Sequence, residues 1–250
     1  RKRSAQDEMK CSALIHDNRC SQSVYSIVHD NRIFEERTFY YLNETQVDLI
    51  LDIGANRGQF GQKIISSGYS KKLLSFEPVS IVYELLKKNA KQFSNWHVYE
   101  RCCIGDQEGE NYINVSNLTG NSSVLDIKST QYNVKNSHYV SKENVKQITL
   151  ETLNEEQLLM NSNRVFVKMD IQGFEHYVLF CLEKVNYSIV GFYIELSLVK
   201  LYDNQEDYLY ICNFLKKHGY DLVFVEPESV RAGRMIQFNG VFLKNDLSYN

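Results

Sequence analysis

The chain has 250 residues, of which 43% are hydrophobic and 24% are charged, so it is long enough to bury the core of one globular domain. Its formal net charge of −3 creates no overall positive field, so the composition argues against a nucleic acid partner. No apolar run approaches the roughly 20 residues that a membrane-spanning helix needs. We expect a soluble cytoplasmic protein without a membrane span, and the sequence does not indicate its oligomeric state.

The first half of the chain alternates strand and helix patterns after a polar start. Residues 1–22 are polar and lack periodicity, so we expect a flexible or loosely packed segment there, followed by a single domain at 23–250. Short apolar runs predict strands, and apolar residues at helical spacing predict helices, the second of which is capped by Ser80. The predicted order is a strand at 48–53, a helix at 58–67, a strand at 72–77, a helix at 81–90 and a strand at 97–104.

A polar stretch at about 107–147, rich in Ser, Asn and Thr, interrupts this alternation. It is typical of an insertion that runs over the top of a sheet, where we expect substrate selection, although 110–115 could form a strand.

The last two predicted strands are joined by a short connection and must pair antiparallel. The alternation predicts an α/β fold with a doubly wound, Rossmann-like and mostly parallel sheet. The remaining strands are predicted at 145–150, 164–170, 188–196, 220–225 and 236–243, and the helices at 174–183, 204–218 and in a segment that ends at 160.

The turn after the first predicted strand holds the main chemical signal. It reads Asp52-Ile-Gly-Ala-Asn-Arg-Gly58, and the next strand ends at Glu77. In open α/β sheets ligands bind at the carboxyl ends of strands, where both acids lie. A dinucleotide-binding turn would need glycine at the positions of Asn56 and Gln59, and Asp52 would repel a pyrophosphate. A carboxylate here instead favours a ligand with an ammonium group, such as S-adenosylmethionine, whose sulfonium adds a second positive charge.

Four blocks of the sequence also carry a family resemblance. They are Asp52-Ile-Gly-Ala-Asn-Arg-Gly58, Ser75-Phe-Glu-Pro78, Ile104-Gly-Asp-Gln-Glu-Gly109 and Val167-Lys-Met-Asp-Ile-Gln-Gly-Phe-Glu175. Together they resemble the FkbM family of S-adenosylmethionine-dependent methyltransferases, over roughly residues 42–243. The resemblance implies a Rossmann-like sheet of seven strands and methylation of an oxygen, often of a sugar or polyketide hydroxyl. The family usually has glutamate where this chain has Gln172.

The resemblance also implies roles for single residues. The turn from Gly54 to Gly58 would hold the methionine end of the cofactor, and Asp52 would orient its amino group. Glu77 would bind the ribose hydroxyls, and Ile104 and Asp106 would flank the adenine. The cofactor-binding residues expected on this basis are Asp52, Gly54, Ala55, Asn56, Gly58, Glu77, Pro78, Ile104 and Asp106.

Candidate catalytic residues lie at the ends of two later strands. Methyl transfer is an in-line displacement, and an alkyl hydroxyl is a weak nucleophile that benefits from a base or a metal ion. Asp170 is the first candidate for the base or metal ligand, and Glu195 is the second, although strand-end acids also cap helices. Lys168 could pair with Asp170, contact the acceptor or extend its charge to solvent. With Glu175 these acids offer oxygen ligands for Mg²⁺, but no metal motif of fixed spacing is present. The sequence therefore allows Mg²⁺ as a cofactor without requiring it.

We therefore predict an S-adenosylmethionine-dependent O-methyltransferase that acts on a hydroxyl of a saccharide or related small metabolite. The alternative is a noncatalytic module that keeps this fold and binds a glycan or a protein. A nicotinamide-dependent oxidoreductase comes last because of Asn56 and Gln59. The predicted partner is a small-molecule or glycan acceptor.

Overall fold

The computed structural model describes residues 34–130, 137–231 and 233–247, and the segment predicted to be flexible, 1–22, lies outside them. The described residues form a sheet of seven strands and a second sheet of three. The strands are β1 (Leu49–Ile53), β2 (Lys72–Phe76), β3 (Trp96–Val98), β4 (Cys102–Gly105), β5 (Gly109–Ser116), β6 (Tyr139–Thr149), β7 (Val165–Met169), β8 (Ile189–Ser197), β9 (Tyr220–Arg231) and β10 (Arg234–Lys244). The α-helices are α1 (Phe34–Glu44), α2 (Gln59–Ser66), α3 (Ser80–Ala90), α4 (Gln157–Met160), α5 (Glu175–Leu179) and α6 (Tyr208–Lys217).

The seven-stranded sheet has the order β3-β2-β1-β7-β8-β10-β9. Its first five strands are parallel, and β10 pairs antiparallel with both β8 and β9. This confirms the predicted Rossmann-like, mostly parallel sheet of seven strands with an antiparallel end. Both β1 and β7 are buried along their whole length, as expected for central strands covered on both faces.

Alternate side chains of β1 enter two separate apolar clusters. Leu49, Leu51 and Ile53 pack into one cluster, and Ile50 packs into the other. Because side chains of a strand alternate between the faces of a sheet, Asp52 shares the face of Ile50. The sheet therefore carries a carboxylate into a mostly apolar layer, where it needs a polar partner.

The predicted third strand at 97–104 is two strands that belong to different sheets. The backbone N–H of Tyr99 donates to the carbonyl of Ser75 just beyond β3, and the Arg101 guanidinium then donates to the carbonyls of Pro78 and Asn144. These contacts turn the chain away from the main sheet and into the second sheet, whose order is β4-β6-β5. The prediction of one continuous strand is wrong because the apolar pattern does not reveal this turn.

The stretch predicted as a polar insertion at about 107–147 contains β5 and most of β6, which pair with each other. Its surface polarity arises because one face of this small sheet is exposed, while Ile113, Val115 and Val145 pack on the other face. Ser80 does not cap α3 as predicted; it is the first helical residue. Its backbone N–H and hydroxyl donate to Glu143 at 2.9 and 3.0 Å, so β6 supplies the cap.

Among the helices in the described parts of the chain, none is long and apolar enough to cross a membrane.

Candidate functional site

The turn from β1 into α2 depends on two glycines with left-handed backbone angles. Gly54 has a φ of 75°, and a side chain there would place its Cβ atom 2.1 Å from the carbonyl oxygen of Asp170. Gly58 has a φ of 87°, and a Cβ there would lie 2.5 Å from the Trp96 ring. Larger residues cannot occupy either position without moving the backbone or the indole. The sequence therefore brings the β1 turn into direct contact with the end of β7.

Glu77 lies next to this turn, with its carboxylate held by the backbone. Its Oε2 accepts the N–H of Asn56 at 2.8 Å, and its Oε1 accepts the N–H of Val79 at 2.9 Å. The side chain is only 5% exposed, and burial raises its pKa to about 7 although the two N–H donors lower it. Each oxygen keeps lone-pair capacity, so the carboxylate can accept further hydrogen bonds from a ligand in the cleft.

Asp52 lies deeper and does not line the cleft. In the sheet register its neighbours are Ser75 on β2 and Lys168 on β7, and these side chains meet on one face. Ser75 Oγ donates to Asp52 Oδ2 at 3.1 Å, and Lys168 Nζ lies 3.1 Å from Asp52 Oδ1. Lys168 also donates to the carbonyl of Gly54 at 2.8 Å, so this buried pair supports the turn from below.

The charge state of this pair follows from its surroundings. Burial alone lowers the pKa of Lys168, but the carboxylates of Asp52 and Asp170 outweigh burial and leave the pKa raised. Lys168 is therefore a buried cation whose main partner is Asp52, while Asp170 Oδ2 is 3.9 Å away. Of the alternatives left open for Lys168, the structure supports a pair with Asp170 only as a longer second contact.

Asp170 comes directly after β7, and Glu195 lies in β8. One amide group joins their side chains. Gln172 Nε2 donates to Asp170 Oδ1 and to Glu195 Oε2, at 2.9 Å in both cases. Gln237 Nε2 adds a second donor to Glu195 Oε2 at 2.7 Å. Burial, followed by the neighbouring Asp170 carboxylate, raises the pKa of Glu195 well above its usual value. Asp170 is the more accessible acid, with 40% of its side chain exposed.

Two cavities meet at this group of side chains. One has a volume of about 70 Å³ and is lined by the Glu77–Val79 segment and by Ile104. The other has a volume of about 490 Å³ and extends past Phe60 towards Glu228. The larger volume lies within the roughly 300–1,000 Å³ that ligand sites occupy. The cavities share five lining residues: Gly54, Asn56, Gly120, Asp170 and Gln172.

The expected cofactor residues do not all lie in these cavities. Ile104 and Pro78 line the smaller cavity, and Ala55 lines the larger one. Gly58 lies buried behind the turn, and Asp106 lines a different surface cavity beside Glu108. The structure therefore places Ile104, but not Asp106, at the cleft.

Several groups outside the predicted catalytic and cofactor-binding residues also organise the cleft. Ser75 and Gln237 donate to the buried acids, and Tyr202 donates from its hydroxyl to Gln172 Oε1 at 2.7 Å. Ser123 Oγ donates to the Gln172 carbonyl at 2.8 Å and ties the segment after β5 to the β7 loop. Ser75 lies inside one of the four sequence blocks, which is a signal that could have identified it.

The acids proposed as ligands of Mg²⁺ do not form a site for this ion. Glu175 Oε1 accepts the backbone N–H groups of Ile171 and Gly173, so its carboxylate faces its own loop. The other two acids share the amide nitrogen of Gln172, which is a donor and cannot ligate a metal. Within the residues whose positions are known, no group of three His, Cys, Asp or Glu side chains could hold a metal ion.

Solved structures with a similar arrangement include three methyltransferases. A TehB-like SAM-dependent methyltransferase from Corynebacterium glutamicum has 11% identity and a TM-score of 0.44, covering 96% of this chain and 98% of that one. TrmK from M. capricolum, in complex with S-adenosyl-homocysteine, has 11% identity and a TM-score of 0.44, covering 86% and 69%. The tRNA methyltransferase TrmK from B. subtilis has 9% identity and a TM-score of 0.43, covering 86% and 66%.

The family comparison is stronger than these structural ones. A search of curated proteins gave no match. The model of the methyltransferase FkbM domain matches residues 52–222, which is more than half of the chain. The match contains the β1 turn, Glu77 and the acid pair, and it confirms the resemblance drawn from the four sequence blocks. The chain therefore belongs to the FkbM family of methyltransferases.

Proposed function

We propose that the smaller cavity binds the adenosine part of S-adenosylmethionine and that the β1 turn holds its methionine part. The observation that carries this proposal is the carboxylate of Glu77, which is buried and held by two backbone N–H groups at the wall of the cavity. A carboxylate fixed in this way accepts hydrogen bonds from the paired hydroxyls of a ribose. Asp52 contributes indirectly, because Lys168 links it to the carbonyl of Gly54.

The junction of the two cavities is where the reaction would occur. When bound, S-adenosylmethionine supplies an electrophilic methyl group on a positively charged sulfur. Asp170 lines both cavities, and its Oδ2 is free of the Gln172 amide, so it would accept the proton of an acceptor hydroxyl while the methyl group passes from sulfur to that oxygen and S-adenosylhomocysteine leaves. Lys168 Nζ lies 3.9 Å from Oδ2 and places a positive charge beside it.

The larger cavity supports a polyhydroxylated acceptor, such as a saccharide or a related small metabolite. The rings of Phe60 and Tyr193 lie 5.6 Å apart at its wall and offer apolar surface to a sugar ring. Gln237, Asn239 and Glu228 line the same cavity and supply amide and carboxylate groups that hydrogen-bond hydroxyls.

The test is transfer of a tritiated methyl group from S-adenosylmethionine to a panel of saccharides and small hydroxylated metabolites. We expect the wild type to label at least one acceptor on oxygen. Asp170→Asn should lower the rate by about 100-fold or more, the usual loss on removing a general base. Cofactor binding without transfer to any acceptor would support the noncatalytic module instead. Transfer at an equal rate by Asp170→Asn would remove Asp170 from the mechanism.

Cofactor affinity should depend on pH through Glu77, whose pKa is raised from 4.5 to about 7 by burial. Because the folded protein holds the Glu77 proton more tightly than the unfolded chain, protonation of Glu77 stabilises the fold below about pH 4.5. This contribution is lost as the pH rises through about 7. Ribose hydroxyls bind the ionised form better, so the affinity for S-adenosylhomocysteine should increase about tenfold from pH 6 to pH 8. Calorimetry at pH 6, 7 and 8 measures this change. Glu77→Gln should abolish the pH dependence, and an affinity that falls over this range would contradict the assignment.

A further inference from the structure

Gln172 has an unusual position between two acidic side chains. Its backbone is left-handed, with a φ of 55°, and the residue is 9% exposed. The loop is held in this conformation by Ser123 Oγ, which donates to the Gln172 carbonyl, and by Glu175, which accepts the N–H of Gly173. This directs the amide into the space between Asp170 and Glu195.

The orientation of the Gln172 amide is fixed by its partners. Nitrogen Nε2 has two hydrogens, and each is used by one of the two acids at 2.9 Å. Oxygen Oε1 accepts the hydroxyl of Tyr202 at 2.7 Å. The opposite orientation would place the amide oxygen against two carboxyl groups and leave the phenol without its acceptor, so it is excluded on energetic grounds.

Two neighbouring carboxyl groups repel each other when both are ionised, unless a proton, a donor or a cation lies between them. Here the donor is the amide nitrogen of Gln172, which donates to one oxygen of Asp170 and one oxygen of Glu195. Gln237 donates to the same oxygen of Glu195, so a proton retained by this acid sits on Oε1. The amide thereby leaves Asp170 Oδ2 as the open basic position at the cavity junction.

We propose that Gln172 is the positioning residue of the acid pair, and that its amide nitrogen occupies the place between Asp170 and Glu195 where a divalent cation would otherwise bind. The pair is then held together by hydrogen bonds, and its spacing does not depend on a metal ion. The inference rests on the proposed function only in assigning Asp170 to the acceptor site. Other charged or titratable groups act on the pair or line its cavity: Lys63, Lys168, Glu175, Tyr193, Tyr202, Glu228 and Arg231.

The first test is a gain of metal binding. Gln172→Glu replaces the donor with a third carboxylate between the two acids, which creates the set of oxygen ligands that Mn²⁺ prefers. Gln59→Glu is the matched control. Gln59 is exposed at the rim of the same cavity, and its substitution makes the same change in charge. Electron paramagnetic resonance should show Gln172→Glu binding Mn²⁺ at least about tenfold more tightly than wild type and Gln59→Glu. Equal affinity in the wild type, or no gain over Gln59→Glu, would overturn the proposal.

A second variant decides the question if Gln172→Glu does not fold. Gln172→Met keeps a similar volume but removes both donors, so the two carboxyl groups face each other without a bridge. The loss of thermal stability relative to wild type should be larger at pH 8 than at pH 6, because protonation at the lower pH relieves the repulsion. A loss that is equal at both pH values, or larger at pH 6, would overturn the proposal.

These measurements need neither cofactor nor acceptor. A titration with S-adenosylhomocysteine on the same samples keeps the two questions apart. If the wild type fails to bind S-adenosylhomocysteine while the Mn²⁺ and pH results hold, the proposed function fails and the role of Gln172 stands. If binding is normal but the Mn²⁺ and pH results fail, only the role of Gln172 is lost.

Discussion

Replacing Glu77 with alanine is expected to weaken the binding of S-adenosylhomocysteine by at least about 100-fold. The variant removes the proposed acceptor of the ribose hydroxyls, and hydrogen bonds to a charged group contribute about 1.5–3 kcal/mol each. It also removes the acceptor for the backbone N–H groups of Asn56 and Val79, so the turn and the following segment lose their common anchor. Isothermal titration calorimetry on purified variants measures the change.

The control for this experiment is Glu84→Ala. Glu84 lies on α3, close in sequence to Glu77, but it is exposed and pairs with Lys87 on the same helix. Its removal makes the same change in net charge without touching the cleft, so the affinity should stay within about twofold of wild type. Similar affinities for wild type, Glu84→Ala and Glu77→Ala would remove Glu77 from the site.

The largest expected effect on stability comes from Lys168→Met. The substitution leaves the fully buried carboxylate of Asp52 with the Ser75 hydroxyl but without its cation. Breaking a buried pair by removing one partner destabilises a protein by about 3–5 kcal/mol, because an uncompensated charge remains inside. Urea denaturation followed by circular dichroism should show this loss in the free energy of unfolding.

A double variant separates the missing cation from lost packing. Asp52→Asn combined with Lys168→Met removes both charges, so it should unfold at a higher urea concentration than Lys168→Met alone. Lys146→Met is the surface control, since Lys146 pairs with Glu100 at the surface, where more than half of each side chain is exposed. Unfolding of Lys168→Met at the wild-type urea concentration would contradict the buried pair.

The parts of the fold that follow from local patterns could be predicted from the sequence. Gly54 ends the first buried strand and Glu77 ends the second, and parallel strands bring their carboxyl ends to one edge. The order of alternation then sufficed for the fold class, and the structure places the turn and Glu77 within a hydrogen bond of each other.

The parts that depend on strand order could not be predicted. Lys168 pairs with Asp52 because β7 lies beside β1 and the two residues are opposite each other in the register. They are 116 residues apart in the sequence. No spacing in the sequence encodes that neighbour relation. The bridge formed by Gln172 likewise depends on β8 bringing Glu195 next to β7. The break at Tyr99 between β3 and β4 was missed because its cause, the contacts of Arg101 with Pro78 and Asn144, is also long-range.

A crystal structure with bound S-adenosylhomocysteine would show whether Glu77 binds the ribose of the cofactor. We expect both ribose hydroxyls to lie within hydrogen-bond distance of the Glu77 carboxylate. The homocysteine part should lie along the turn from Gly54 to Gly58, with its sulfur directed towards Asp170. A ligand bound elsewhere, or a ribose turned away from Glu77, would contradict this expectation.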